Sequence, residues 1–422
     1  MLILPYLSTL LPYLSTFVFA YPLAMSVIWI IGGLYFWVNY EAKEKDSLRL
    51  LKTFPNISIL VPCHNEAASI ELTCKTLSSL DYDHYQVIFI DDCSGDNTVE
   101  IIRSFVDRFP YLHLIQLKEN LGKAGALNTA LKYVNTTFVL VLDADTIISG
   151  QTLKWLVLPF TRRANLGAVA ANPIPHNKDS FLSKFQTAEF LSIIGLIKRT
   201  QGIIGHIFTV TGCTTLYKTN ILREIGGFST ITATEDIDVT WKIQKASYRI
   251  WFQPQALAFI QVPNNLKEYW KQRKRWATGG WHLLRTHKEI FCHWRLRHLW
   301  LLFLDFVLSY SWAFSLIIVM ISSAISIIFG LNLGLKLLPS VHVTIGILIY
   351  VIQQICALAI NLAYDKDIKS CFIYIPWYPI FFFIIGAVLI VWTSPKSLFG
   401  NLKNSGKWSS PKRFHTEYST KN

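Results

Sequence analysis

The sequence predicts an α/β domain, a sheet with helices on its faces, flanked by transmembrane α-helices. Three observations predict it. Between residues 57 and 262, short apolar runs alternate with helical stretches, the order that builds a parallel sheet with crossover helices. Outside that segment lie apolar runs long enough to cross a bilayer. The chain has 422 residues, 52% hydrophobic and 14% aromatic, too apolar for an ordinary soluble protein, although its middle half has a soluble composition.

Charge and cysteine usage narrow the class. The 40 basic and 27 acidic residues leave a net charge of +13. Nucleic acid is one reading of that excess. The basic residues cluster beside apolar segments, however, which favours anionic lipid and nucleotide phosphates. Seven cysteines are scattered without paired spacing, which reads as reduced, mostly buried thiols facing a cytosol.

Residues 1–16 carry Leu-Pro-Tyr-Leu-Ser-Thr twice, at 4–9 and 11–16. Their two prolines argue against a membrane helix, and the segment stays unassigned. Phe17 to Val38 is a continuous apolar run, giving a transmembrane helix over 17–39. It is too long for a signal peptide and lacks a basic start and a cleavage site. Lys43, Lys45, Arg49 and Lys52 follow, so the next domain is expected in the cytosol.

That domain spans 57–262. Strands are expected at 57–61, 86–90, 112–115 and 137–142, with helices near 66–80, 97–109 and 123–134. Residues 263–298 then mix nine Lys and Arg residues with Trp270, Trp276, Trp281 and Trp294, which suggests helices lying at the membrane face. Within 299–393, three spans are expected at 299–331, 341–363 and 371–392. The first is long enough to hide an in-plane helix or a hairpin. The basic tail 394–422 votes for the cytosolic side, while three spans would put it outside.

The candidate site is read from acidic and polar clusters that close successive strands. Cys63-His64-Asn65-Glu66 follows the first, Asp91-Asp92 the second, and Asn120-Leu121-Gly122-Lys123 opens the helix before the fourth. Asp143-Ala144-Asp145 ends the fourth strand. In an extended segment its carboxylates point the same way, which suits Mg²⁺ or Mn²⁺ and, through them, phosphate. One such cluster is a capped loop; four on one sheet edge describe a ligand crevice. Thr234-Glu235-Asp236 enters a helix expected over 237–246. Its charge suits a helix N-terminus, but a transferase that deprotonates an acceptor hydroxyl also needs a carboxylate. In Gln272-Arg273-Lys274-Arg275-Trp276, Arg275 can bind phosphate oxygens and Trp276 can stack on a sugar ring.

The ordered set Asp92, Asp143-x-Asp145, Thr234-Glu235-Asp236 and Gln272-x-x-Arg275-Trp276 resembles the processive family 2 glycosyltransferases. The runs 192–201 and 270–280, with Trp408-Ser409-Ser410-Pro411, are similar to the poly-β-1,6-N-acetylglucosamine synthases of bacterial biofilms, over about 21–413. The resemblance implies a GT-A fold with a mixed sheet and UDP-N-acetylglucosamine as donor. His64, Glu66 and Asp92 would hold uridine and ribose, with Lys123 near the nucleotide. Asp145 with Asp143 would serve the metal, Asp143 also facing the donor. Asp236 would be the general base, and Arg275 would neutralise the departing UDP. Glu235, Gln272 and Trp276 would hold the growing polysaccharide. It further implies a multi-pass protein of the bacterial inner membrane, a small accessory membrane subunit and a cyclic-di-GMP link, and no nucleic acid.

The chain departs from the family pattern at three places. Asp91-Asp92-Cys93-Ser94 replaces a common Asn-Asp-Gly-Ser, Thr211-Gly212-Cys213 replaces a Ser-Gly with an apolar residue, and 227–233 lacks acidic residues. Two other readings compete. A single-transfer enzyme acting on a lipid-phosphate acceptor would differ in product size. A catalytically inactive export scaffold would have lost the acidic set, which is present.

Overall fold

A computed structural model describes residues 4–44, 47–331, 340–377 and 379–400. Eight strands form one sheet: β1 (Ile57–Cys63), β2 (Tyr85–Asp91), β3 (Leu112–Gln116), β4 (Phe138–Leu142), β5 (Ile147–Ile148), β6 (Leu166–Pro175), β7 (Thr214–Lys218) and β8 (Arg249–Ile260). Their order is β3-β2-β1-β4-β7-β6-β8-β5. The sheet is mixed. β3, β2, β1 and β4 run parallel, as the alternation of strand and helix predicts. β7 is antiparallel to both β4 and β6, which gives the mixed sheet that the family resemblance implies.

Burial on both faces explains why the central strands read as near-continuous apolar runs. Along β4, Phe138, Leu140 and Leu142 enter one core, while Val139 and Val141 enter the other. β1 divides in the same way, with Ile57, Ile59 and Val61 opposite Leu60. Each such aliphatic side chain contributes about 1.5–3 kcal/mol of transfer free energy. Because β1, β2 and β4 are parallel, Cys63, Asp91 and Leu142 all end at one edge. Strand order reverses between β1 and β4, and the crevice opens at that switch.

Among the described residues, four helices are long and apolar enough to cross a membrane, within Thr9–Glu44, Trp294–Phe329, Thr344–Asn361 and Phe381–Phe399. Two differ from expectation, and a third takes one of the open alternatives. The first helix runs Leu4–Phe36 straight through Pro12 and Pro22. Pro5 sits in its first turn, where no backbone N–H is needed, and the Ser15 and Thr16 hydroxyls donate to Pro12 O at 2.9 and 2.8 Å. Trp300–Phe329 is one helix, with no hairpin. The last span begins near Phe381, because Lys366–Trp377, ending next to Pro376, forms tight 3₁₀ turns. The tail beyond Gly400, with Trp408–Pro411, lies outside the described residues.

These helices are tied to the sheet domain. A side chain at Gly32 or Gly33 would collide with Thr200 or Leu196 of the helix Gly195–Ile204, a close backbone approach that small residues permit. Tyr21 donates to Asp305 Oδ1 at 2.8 Å, and Trp312 Nε1 to Val18 O at 2.8 Å. All seven cysteines are free thiols.

Candidate active site

The nucleotide-side cluster is built by loops after β1 and β2. Asn65, Cys93 and Gly122 take left-handed backbone, φ +57°, +62° and +74°. Cys93 stands where the family pattern has glycine, which adopts that conformation without a side-chain clash. His64 is half-buried: its Nδ1 lies 2.8 Å from Asp92 O, and Asn120 Nδ2 lies within 3.4 Å of the ring.

Asp92 and Glu66 are fully buried. Asp92 accepts Leu121 N–H at 2.7 Å and Gly122 N–H at 2.8 Å, one on each oxygen. It therefore caps the helix Gly122–Leu131, whose first N–H groups have no partner within the helix. This cap sets where Lys123 starts. Glu66 accepts the Ser69 hydroxyl at 3.0 Å, and its own N–H donates to Thr98 Oγ1 at 2.8 Å. Of the three expected nucleotide contacts, His64 alone leaves side-chain surface exposed.

The D-x-D segment is a turn, not an extended strand end. Thr146 N–H closes it onto Asp143 O at 3.0 Å, and Asp143 N–H reaches Cys213 O at 3.0 Å. Burial, reinforced by the Asp145 charge, holds the Asp143 carboxyl above the ordinary range, although Lys123 pulls it down. Lys123 Nζ lies 2.6 Å from Asp143 Oδ1, an ion pair without hydrogen-bond alignment. It lies 2.9 Å from Glu235 Oε1 and 3.1 Å from Gly212 O. Lys123 thus bridges the D-x-D turn to the T-E-D segment instead of standing open to phosphate. Glu235 is held below the usual carboxylate range: burial raises it, but Lys123 and Arg275 outweigh that.

Asp236 opens the helix Glu235–Lys245 beside its neighbour. Burial first, then the Glu235 charge, pushes its carboxyl up, while Lys123 and Arg275 pull it down. Its wall is Gly212, where an added Cβ would come within 2.5 Å of Asp236 Oδ2. The loop carrying Gly212 is pinned from behind: buried Lys198 donates to Thr211 Oγ1 at 2.7 Å, and burial brings its ammonium down to about 8. Replacing Gly212 with Ala is expected to displace Asp236 and lower turnover ~10- to 100-fold, since an ångström of misplacement costs that much. Steady-state kinetics should show the fall in kcat with donor KM little changed.

The Q-x-x-R-W motif lies on the helix Leu266–Thr286, capped by Asn265, whose side chain accepts Glu268 N–H at 3.0 Å. A side chain at Gly279 would collide with Thr234, so this helix packs directly on the T-E-D start. Arg275 is exposed, and its charge reaches Glu235 and Asp236. Trp276 is half-buried, its ring 6.4 Å from Phe190. Gln272 Oε1 is buried and accepts no hydrogen bond among the described residues.

The structure brings Lys123, Asp143, Asp145, Glu235, Asp236 and Arg275 into one charged cluster, with His64 at the β1 end. It adds Gly212, Thr211 and Lys198, which sequence reasoning missed. Their signals were the unusual Thr-Gly-Cys at 211–213 and, for Lys198, the run 192–201. A divalent cation fits the donor set. Two adjacent carboxylates repel each other here, and Mg²⁺ is commonly held through one or two carboxylates plus substrate phosphates. Among the described residues no group of three or more His, Cys, Asp or Glu converges, so further ligands would come from phosphate and water.

A mixed sheet with these acidic turns at one edge and apolar helices beside it defines a membrane-bound glycosyltransferase of the GT-A fold. Residues 58–226 match the family described as Glycosyl transferase family 2. The chain is 34% identical over 419 residues to a poly-β-1,6-N-acetyl-D-glucosamine synthase of Staphylococcus epidermidis, covering 95% of this chain and 98% of that protein. A synthase of the same name from Staphylococcus aureus (strain COL) is 34% identical over 410 residues, with 95% and 98% covered. The chain belongs to the processive family 2 glycosyltransferases, and is a hexosyltransferase. A mannosyltransferase from Pyrobaculum calidifontis, solved with GDP-Man and Mn²⁺, shares the fold with a TM-score of 0.63 at 21% identity, covering 93% of this chain and 99% of that one.

Proposed function

We propose that this enzyme polymerises N-acetylglucosamine from UDP-N-acetylglucosamine into poly-β-1,6-N-acetylglucosamine and passes the chain across the bacterial inner membrane through its own spans. The observation that carries the reading is the Lys123 bridge between the D-x-D turn and Glu235, beside Asp236 and Arg275. Charged groups of three motifs distant in sequence are coupled there: Asp143, Glu235 with Asp236, and Arg275. The names of the relatives support the sugar and the linkage.

In this reading Asp236 takes the proton from the acceptor 6-hydroxyl as that oxygen attacks the anomeric carbon in line. The bond to UDP breaks, and α becomes β. The raised affinity of Asp236 for a proton suits a base. Arg275 offsets charge on the departing diphosphate, an effect larger in the transition state than in the ground state. His64 faces the nucleotide, Asp92 holds the helix that presents Lys123, and Gln272 offers its unpartnered oxygen to an acceptor hydroxyl. Asp145 and Asp143 would hold Mg²⁺ or Mn²⁺, which when bound neutralises charge on the diphosphate leaving group. Chelation is expected to lower sugar incorporation about a hundredfold, with recovery on adding Mg²⁺ or Mn²⁺.

Radiolabelled UDP-N-acetylglucosamine supplied to isolated membranes tests the whole reading. A high-mass product degraded by a β-1,6-specific hexosaminidase is the expected result. A small labelled lipid instead would mean single transfer, and a resistant polymer would discard the linkage.

A further inference from the structure

Position 273 is one that the Q-x-x-R-W motif leaves open, yet it is the most heavily engaged side chain of that helix face. The Arg273 guanidinium lies 4.2 Å from the centre of the Trp276 ring and 4.7 Å from that of Tyr269. Spacings of three and four residues on a helix bring these side chains together. Arg273 NH2 donates to Glu189 Oε2 at 2.6 Å, with the two side chains 11% and 3% exposed. Glu189 ends the helix Phe181–Glu189, and the next residue, Phe190, also touches Trp276. The guanidinium Nε is buried without a hydrogen-bond partner. A buried charge pair is an expensive way to fill space. Its geometry here does one particular thing: it fixes a flat cation against Trp276.

We propose that Glu189 and Arg273 are positioning residues that hold Trp276 as a rigid platform for the acceptor sugar, and so set how many sugars are added before the chain is released. The proposal rests on the acceptor role given to Trp276 above. A stacked guanidinium covers part of the ring and limits its rotation, leaving the remaining surface in a fixed plane. Product length depends on the ratio of elongation to release. A looser platform speeds release while leaving the donor side in place, because Lys123, Asp143 and Asp145 lie on other elements and the charge of Arg275, although on the same helix, is engaged by Glu235 and Asp236.

The test uses full-length enzyme in detergent or nanodiscs with radiolabelled UDP-N-acetylglucosamine. Product length, donor KM and donor hydrolysis are measured for Glu189→Gln, Arg273→Gln, Trp276→Ala and the Glu189→Gln/Trp276→Ala pair. Expected is a ~5- to 10-fold shortening of product in each single variant, with donor KM and hydrolysis unchanged in Glu189→Gln and Arg273→Gln. The double variant should be no shorter than Trp276→Ala alone, because both act through one platform. If Glu189→Gln does not accumulate, Arg273→Gln reads the same contact from its other side. Unchanged length in both, or a parallel fall in hydrolysis, or additive shortening in the double variant, would overturn the proposal. Were Trp276→Ala itself to leave length unchanged, the acceptor reading would fall with it. Shortening by Trp276→Ala alone would overturn only the positioning role.

Discussion

Asp236→Asn should lower polymer synthesis ~10²- to 10⁴-fold, the range that a positioned general base supplies. Asparagine keeps the shape and removes the ability to take a proton. The helix start at Glu235 is backbone-defined and should persist, and asparagine fills the same space against Gly212. Binding of UDP-N-acetylglucosamine should therefore stay within about twofold, since uniform binding does not depend on a group that acts in the transition state. The pH profile gives a second readout. Burial and the Glu235 charge hold the Asp236 carboxyl above the ordinary range, so the base protonates at a higher pH than a free carboxylate would. The wild-type rate should fall with acid through that raised value, and the residual rate of the variant should lack this limb. Polymer synthesis by Asp236→Asn at more than a tenth of the normal rate would remove Asp236 as the base.

The central strands and the edge of the sheet were legible because burial leaves a simple trace. β1, β2 and β4 are apolar on both faces, and their polar residues begin where the core ends, at His64, Asp92 and Asp143. Side-chain roles set by distant partners left no such trace. The cap from Asp92 to Leu121 and Gly122 spans about thirty residues of sequence, so its hold on that helix could not be read locally. Asp143-Ala144-Asp145 folds as a turn closed by Thr146 N–H on Asp143 O, with its first residue held by the carbonyl of distant Cys213. Local alternation of side chains could not reveal that contact. Proline misled for a related reason. Pro12 and Pro22 break a helix in water, but the Val18 carbonyl that Pro22 frees accepts Trp312 Nε1 from the neighbouring helix Trp300–Phe329.

Arg199→Met should be the most destabilising single substitution outside the crevice. Arg199 is fully buried on Gly195–Ile204, and its Nε and NH2 donate to Glu41 at 2.7 and 3.0 Å. Glu41 follows the first membrane helix, and Tyr364, beyond the helix Ser340–Asn361, donates to the same carboxylate at 2.7 Å. Three segments remote in sequence are thus joined at one carboxylate 5% exposed. Removing the arginine leaves that charge buried with a single neutral donor, which costs about 3–5 kcal/mol. In detergent the thermal midpoint should fall by about 5–10 °C. Arg199→Met combined with Glu41→Gln should recover more than half of the loss, because the penalty lies in the unpaired charge and not in the missing pair. A double variant as unstable as the single would mean that the guanidinium stabilises by packing against Phe252, 5.7 Å from its ring centre, and that the ion pair is incidental to how the spans attach.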